Sequence, residues 1–400
     1  MATDLRYDPY DVDIDTDPYP VFRRLREEAP CYYNPAHDFY ALSRYDDVER
    51  GLVDKVTFSS ARGGILELIK SGIEIPTGTL IFEDPPTHTI HRQLLSRVFT
   101  PRKMLALEDR IRAYCVESLD PLVGTDHFDL IADFGAHMPM RVIGMLLGIP
   151  DEAQAEVRSR ADATIRTEPG KPQEYGDSFD PAAAFSDFGT YLDWRTEHPS
   201  DDLMTELLFA EFEDEHGVTR RLERAELLTY LSVIAGAGNE TTTRLIGWAG
   251  KVLSDHPDQR RELAADRSLI PGAVEELLRY EPPAPHVGRY VTRDVELHGE
   301  TVPAGSALLL LIGAANRDDR KFADPDHFDI HREAGPHLGF GYGIHFCLGA
   351  ALARLEGRVA LEEMLARFPD WEVDLDQARL APTSTVRGWE TLPVRIPGGG

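Results

Sequence analysis

LGFGYGIHFCLGAALARLE, residues 338–356, sets Cys347 among glycines at 339, 341, 343 and 349 and then runs into a clean helical pattern. A cysteine just ahead of a helix N-terminus sits in a positive field that favours thiolate, the form that ligates metals. Alternating glycines let the backbone turn its N–H groups toward the sulfur. An isolated cysteine is most often a buried structural thiol. Here the glycine density, with His345 two residues upstream, favours a ligand instead. The other two cysteines, Cys31 and Cys115, make no CxxC pair, so neither a disulfide framework nor a zinc ribbon is supported. A reducing compartment fits, and a cytoplasmic location is expected.

Working outward, the longest helical candidate lies upstream at about 222–255. Its centre, Ala235 to Thr243 (AGAGNETTT), is poor helix material: interior glycines cost about 1 kcal/mol each relative to alanine, and Asn and Thr are mediocre formers. Small side chains suit either a flat or bulky group lying against the backbone or a tight crossing by another helix, and the segment alone leaves both open. Threonine hydroxyls can bond preceding carbonyls and open the ladder locally. Glu240 beside Thr241 is an acid and hydroxyl pair suited to moving protons.

The remaining pattern predicts helices near 18–29, 45–53, 88–99, 103–122, 137–147 and 270–280, with strand-like pieces at 38–44 and from 285 to 312. The stretch 60–83 is too broken for a long helix and unusually apolar for a surface loop. Residues 166–181 concentrate Pro, Gly and charge, as a lid or a linker would, and the end of the chain resembles a disordered tail. The expected fold is mainly α with a smaller β-rich portion, mostly N-terminal plus 285–312 and C-terminal strands, in a single domain over 1–400. The 400 residues hold 42 Lys and Arg against 69 Asp and Glu, and 42 − 69 gives −27. That charge argues against nucleic acid and anionic membrane as partners. No apolar run of 18 residues and no signal-like start appear, so no membrane anchor is expected.

The segment Phe340, Gly341, Tyr342, Gly343, Ile344, His345, Phe346, Cys347, Leu348, Gly349 resembles the haem-binding signature of the cytochrome P450 superfamily, FGxGxHxCxG, at every fixed position. The resemblance implies a fold holding haem b (iron protoporphyrin IX) between a long distal helix and a proximal Cys loop. Cys347 would be the metal ligand, its thiolate tuning the iron, with Phe340, Gly341, His345 and Gly349 around the cofactor. Residues 237–242, AGNETT, resemble the family's oxygen-binding groove. By that likeness Ala237 and Gly238 lie against the cofactor, and Glu240 and Thr241 are catalytic. Glu276 and Arg279 resemble the family's structural ExxR, a spacing that suits an ion pair on one helical face, with Arg332 as third member. The segment 83–104 resembles the entry to the family's third long helix, giving His88 and Arg92 to a haem propionate. Arg289 resembles the arginine that does the same from a following strand, and His345 is a fourth candidate.

The activity so implied is that of a monooxygenase, with Glu240 relaying protons and Thr241 hydrogen-bonding the oxygen species. No flavin or iron–sulfur segment is seen, so electrons are expected from a separate ferredoxin and its reductase, with no fused reductase. Docking is expected near Cys347 on a basic patch of Arg102, Lys103, Arg354 and Arg358. The substrate pocket would draw on Ile65, Leu66, Ile75 and Leu80 of the 64–81 loop, Val233 and Ile234 of the long helix, His286 and Val287, and Trp389. Such a lining fits a lipophilic small molecule: a terpenoid, steroid, fatty acid or polyketide-like compound. His286 either reads a polar group on it or points away. A non-catalytic haem-thiolate sensor or carrier of gas or ligand is the alternative, though it would not need Glu240 and Thr241. A zinc hydrolase on His345 and Cys347 lacks further ligands at a recognisable spacing.

Overall fold

The computed structural model describes residues 5–173, 188–200, 202–333, 335–383 and 385–397. Seven helices position the site: α1 (Leu66–Ser71), α2 (Thr87–Ser96), α3 (Met138–Leu147), α4 (Asp151–Ile165), α5 (Arg224–Asp255), α6 (Ile270–Tyr280) and α7 (Ala350–Arg367). The principal sheet uses β1 (Cys31–Asn34), β2 (Phe39–Leu42), β3 (Phe58–Ser59), β4 (Val287–Val291) and β5 (Ala307–Leu310) in the order β1-β2-β5-β4-β3. All neighbours are antiparallel except β5 and β2, which run parallel with Leu309 opposite Ala41. A three-stranded sheet joins His127–Asp129, Pro393–Arg395 and Glu372–Val373, tying the C-terminal strands to the helical body.

The long helix begins where its sequence offers a reciprocal cap. Glu223 accepts from the backbone of Glu226, and the Glu226 side chain returns a bond to the Glu223 N–H. Thereafter it is buried over most of its 32 residues because α3, α4 and α7 pack around it. The largest apolar core surrounds this helix and draws on residues from Leu80 to Val394. Two smaller clusters lie on the sheet, one around Tyr45, Phe58 and Leu310, the other around Phe22, Phe39 and Leu309.

Most expected elements form within a residue or two of their sequence bounds. The single helix expected at 103–122 is divided into Pro101–Leu105, Glu108–Leu119 and a short 3-10 turn at Asp120–Leu122. The 166–181 stretch is tied at its start: Arg166 bridges Thr383, and Thr167 N–H donates to the Pro382 carbonyl at 2.8 Å. Gln173 N–H then reaches the Glu67 carboxylate of α1 at 3.3 Å. Residues 174–181 of that expected lid, and the terminal glycines, lie outside the described residues.

Candidate functional site

The Cys347 loop is held by its own backbone. Cys347 N–H donates to the Phe340 carbonyl at 2.8 Å, Gly341 N–H to Leu338, and Phe346 N–H to Gly343. Gly341 and Gly343 adopt φ of 70° and 71°, the left-handed region that a side chain would strain. Gly339 is required for another reason: a Cβ there would come within 2.5 Å of the Leu278 carbonyl oxygen of α6. Burial raises the Cys347 thiol above its ordinary value. The Gly349 N–H and the guanidiniums of Arg92 and Arg354 act in the opposite direction without reversing it. Desolvation of the sulfur thus works against the thiolate read from the sequence. A cation at the sulfur would supply the missing charge.

Four sequence-predicted side chains converge beside this loop. The rings of His88 and His345 lie 4.4 Å apart, and Arg289 and Arg92 both act on His345. His345 is held down to about 3 by burial, then by Arg289, His88 and Arg92. Arg289 falls to about 10 through burial, and Arg92 and His88 are lowered for the same leading reason. Both ring nitrogens of His88 and Nε2 of His345 are buried with no hydrogen-bond partner among the described residues. Arg289 donates to its neighbour's carbonyl, that of Gly288, at 2.8 Å, and neither it nor Arg92 has an ion pair among the described residues. Buried donors and cations without anions are costly. The two carboxylates of a haem would satisfy this set, so the residues present fit the group.

On α5 one face is open. Ala237 is exposed, Val233 and Thr241 are half-exposed, and beyond the helix's own backbone and the two neighbouring residues no described atom lies within 4 Å of a Cβ built at Gly236. Thr241 Oγ1 donates to the Ala237 carbonyl at 2.7 Å, the back-bond that loosens a helix. Gly238 lies elsewhere: a Cβ there would overlap Ile143 of α3. Gly238 thus serves a tight helix crossing, while Gly236 faces open space. Glu240 is buried beside Arg244, which donates to it at 2.5 Å, and its carboxyl also bonds that of Asp162 on α4.

The expected pocket residues separate into two groups. Ile65, Ile75, Val233, His286 and Val287 are half-buried. Leu66 instead packs into the sheet core with Phe22 and Leu309, while Leu80 and Ile234 belong to the helical core. Trp389 packs against Trp248, with ring centroids 5.3 Å apart and planes tilted by 58°, and covers Gly247, well along α5 from Thr241. A short amphipathic helix turns one side inward, so an apolar loop is not apolar toward one thing only.

Glu276 and Arg279 form a fully buried bidentate pair at 2.7 Å on both arms, and Arg332 Nε reaches Glu276 at 3.1 Å. The expected basic patch is largely neutralised. Arg354 pairs with Glu275, Arg358 with Glu108 and Glu362, and Lys103 with Glu206, leaving Arg102 exposed. Sequence reading missed Arg244, although its i+4 spacing from Glu240 was visible. It also missed Asp162, which no local pattern marks, and Glu356, a lone acid inside the apolar run of α7.

The family model for cytochrome P450 matches residues 190–390. A Mycobacterium tuberculosis relative bearing the name cytochrome P450 123 is 41% identical over 398 residues, covering 98% of this chain and 97% of its own. The solved cytochrome P450 CYP109Q5 from Chondromyces apiculatus superposes with a TM-score of 0.84 at 36% identity, covering 98% of each chain. CYP109E1 from Bacillus megaterium, solved in complex with testosterone, gives a TM-score of 0.84 at 29% identity, covering 96% of this chain and 99% of its own.

Proposed function

The chain belongs to the cytochrome P450 family of haem-iron monooxygenases, and we propose that it inserts one oxygen atom from O2 into a lipophilic small molecule of terpenoid, steroid, fatty acid or polyketide-like character. Electrons come from a separate ferredoxin and its reductase, the cofactor is haem b, and the reaction takes place in the cytoplasm. Among the described residues no helix is long and apolar enough to cross a membrane.

The observation that carries this reading is the open small-residue face of α5 at Gly236, Ala237 and Thr241, with half-buried Val233 on the same helix. Val287, Ile65 and Ile75 are the other half-buried apolar candidates. A slot of that composition holds an apolar body and offers few polar contacts to fix it. The steroid held by CYP109E1 is of the same chemical class.

Haem, when bound, supplies the iron chemistry that activates O2. The chain's own residues do the rest. Cys347 would hold the iron, while His88, Arg92, Arg289 and His345 would bind the two carboxylates and fix the plane. Thr241 presents a hydroxyl whose present partner, the Ala237 carbonyl, leaves its lone pairs free to accept a proton donor. Glu240, the preceding residue, holds a carboxylate that would accept a proton and pass it on toward Thr241 while the apolar lining excludes bulk water.

An optical titration of the ferric protein with steroids, terpenoids and fatty acids tests the substrate class. A saturable shift of the Soret band to shorter wavelength with one class is expected. No shift with any of the three would overturn the lipophilic reading.

A further inference from the structure

The chain between α1 and α2 returns to the protein body through one buried carboxylate. Glu83 accepts from His91 Nδ1 of α2, at 2.9 and 2.8 Å on its two oxygens, and from the Gly78 N–H at 2.8 Å, which closes the 3-10 turn Leu80–Phe82 on itself. Both side chains are out of water, the histidine 1% and the acid 8% exposed.

A buried polar pair is a poor way to gain stability, since apolar side chains of the same volume commonly do as well. What it adds is direction. The rings of Tyr230 and Phe212 stand edge-on to His91 at 5.6 and 6.1 Å, so a leucine there would find the same apolar company but could not hold Glu83. The floor under the turn is equally fixed. Gly78 has φ of 98° and lies so close to α5 that a Cβ on it would meet the Glu226 backbone and the Thr229 side chain at 3.5 Å. Glu226 is in turn bound by both arms of Arg220, at 2.7 and 2.9 Å.

This turn borders the pocket candidates on two sides. Half-buried Ile75 precedes it. Phe82 at its other end packs over Gly64, where a Cβ would come within 2.9 Å of the Phe82 ring and 3.5 Å of Val287. The Glu83 backbone itself faces the His345 ring of the cation cradle.

We propose that His91 and Glu83 are positioning residues that pin the end of the 64–83 loop to α2 and to the first turn of α5, and so set how tightly the pocket holds a bulky ligand without touching it. This rests on the reading of the 64–81 loop as a pocket wall. Without His91 the carboxylate keeps only the Gly78 N–H, and a buried carboxylate with one donor is drawn toward water. The turn follows it, because Gly78 and Glu83 are its two ends.

The test uses the ferric holoprotein and its His91→Leu, His91→Asn and Glu83→Ala variants. In His91→Asn the amide nitrogen takes the place of Nδ1 and keeps the donor. Two azoles that bind haem iron through nitrogen serve as probes: imidazole, which is small, and clotrimazole, whose bulk needs the pocket; both move the Soret band to longer wavelength. In His91→Leu and Glu83→Ala the clotrimazole affinity should fall roughly tenfold, a factor that one lost hydrogen bond to a charged group allows, while imidazole affinity stays as in wild type. Hydrogen exchange at the amides of residues 76–83 should quicken in the same two variants. His91→Asn should match wild type in both readouts, and the carbon monoxide band of the reduced protein should survive in all three. Unchanged exchange in His91→Leu would overturn the clamp itself. Quickened exchange with unchanged clotrimazole affinity would overturn the pocket wall on which the proposal rests, and the proposal with it. Equal losses for the two azoles, a lost carbon monoxide band, or a His91→Asn variant no better than His91→Leu would assign the pair to general stability and contradict the proposal as well.

Discussion

Single residues carry the sharpest electrostatic consequences. Glu356 on α7 is 1% exposed, its Oε1 has no partner among the described residues, and its contact is the Thr242 hydroxyl of α5. Burial pushes it up to about 8, from an ordinary value of 4.5. An acid whose folded value is raised favours folding in its protonated form. Its contribution is complete below about pH 4.5 and is lost as pH rises through 8. Glu356→Gln removes that dependence, so the variant should gain on wild type by a few kcal/mol between pH 6 and 9. Melting temperatures at the two pH values check this, and a constant difference would contradict it. The glycine loop around Cys347 was legible from its own residues, while the meeting of His88, Arg289 and His345 near it was expected only through the family resemblance of their segments. Asp162 was not legible, because its partner lies on another helix and only the packing of α4 on α5 brings them together.

At the scale of elements, the long helix shows how one composition serves two purposes. Gly236 faces open space and Gly238 faces Ile143, two residues and about 200° apart around the helix. Gly238→Ala should overpack the crossing with α3 and lower stability by about 1–3 kcal/mol. Gly236→Ala should hold or improve stability by up to about 1 kcal/mol, the helix-propensity gain. Denaturant midpoints decide it, and Ile143→Val should restore part of the loss in Gly238→Ala. Equal effects at the two glycines would sink the assignment. Helix α5 was readable from its 3.6-residue period despite this centre. The apolar 64–81 loop was read as facing one cavity, whereas α1 turns Leu66 into the sheet core and Leu80 joins the helical core. Hydrophobicity records that a residue is buried but not against what.

Across the whole molecule, the buried Glu276 and Arg279 pair fastens α6 to the segment leading into the Cys loop. Arg279 also donates to the carbonyls of Asn316 and Pro325 at 2.9 Å, and Arg332 reaches back to Glu276. Arg279→Ala strands Glu276 as a buried charge and should cost about 3–5 kcal/mol, a large part of a typical stability of about 5–15 kcal/mol. Low soluble yield and poor haem incorporation are the expected outcome, and wild-type yield and unfolding midpoint would contradict it. The order of motifs along the chain made the architecture legible from the sequence. The parallel pairing of β5 with β2 was not, since Leu309 meets Ala41 across most of the chain and no local signal encodes a partner so distant. Charge was legible in sum but not in place. The cations expected to form a docking patch are largely paired with Glu275, Glu108, Glu362 and Glu206, and acids on neighbouring helices could be found only in three dimensions.

The central claim is that Cys347 holds haem iron as a thiolate in a site built by the loop 338–349. The most direct measurement is the absorption spectrum of the reduced protein with carbon monoxide, in wild type and in Cys347→Ala. A strongly red-shifted Soret band in wild type that is lost in Cys347→Ala is the predicted result. A wild-type band unshifted from that of histidine-ligated haem, or a red-shifted band that survives in Cys347→Ala, would contradict the account.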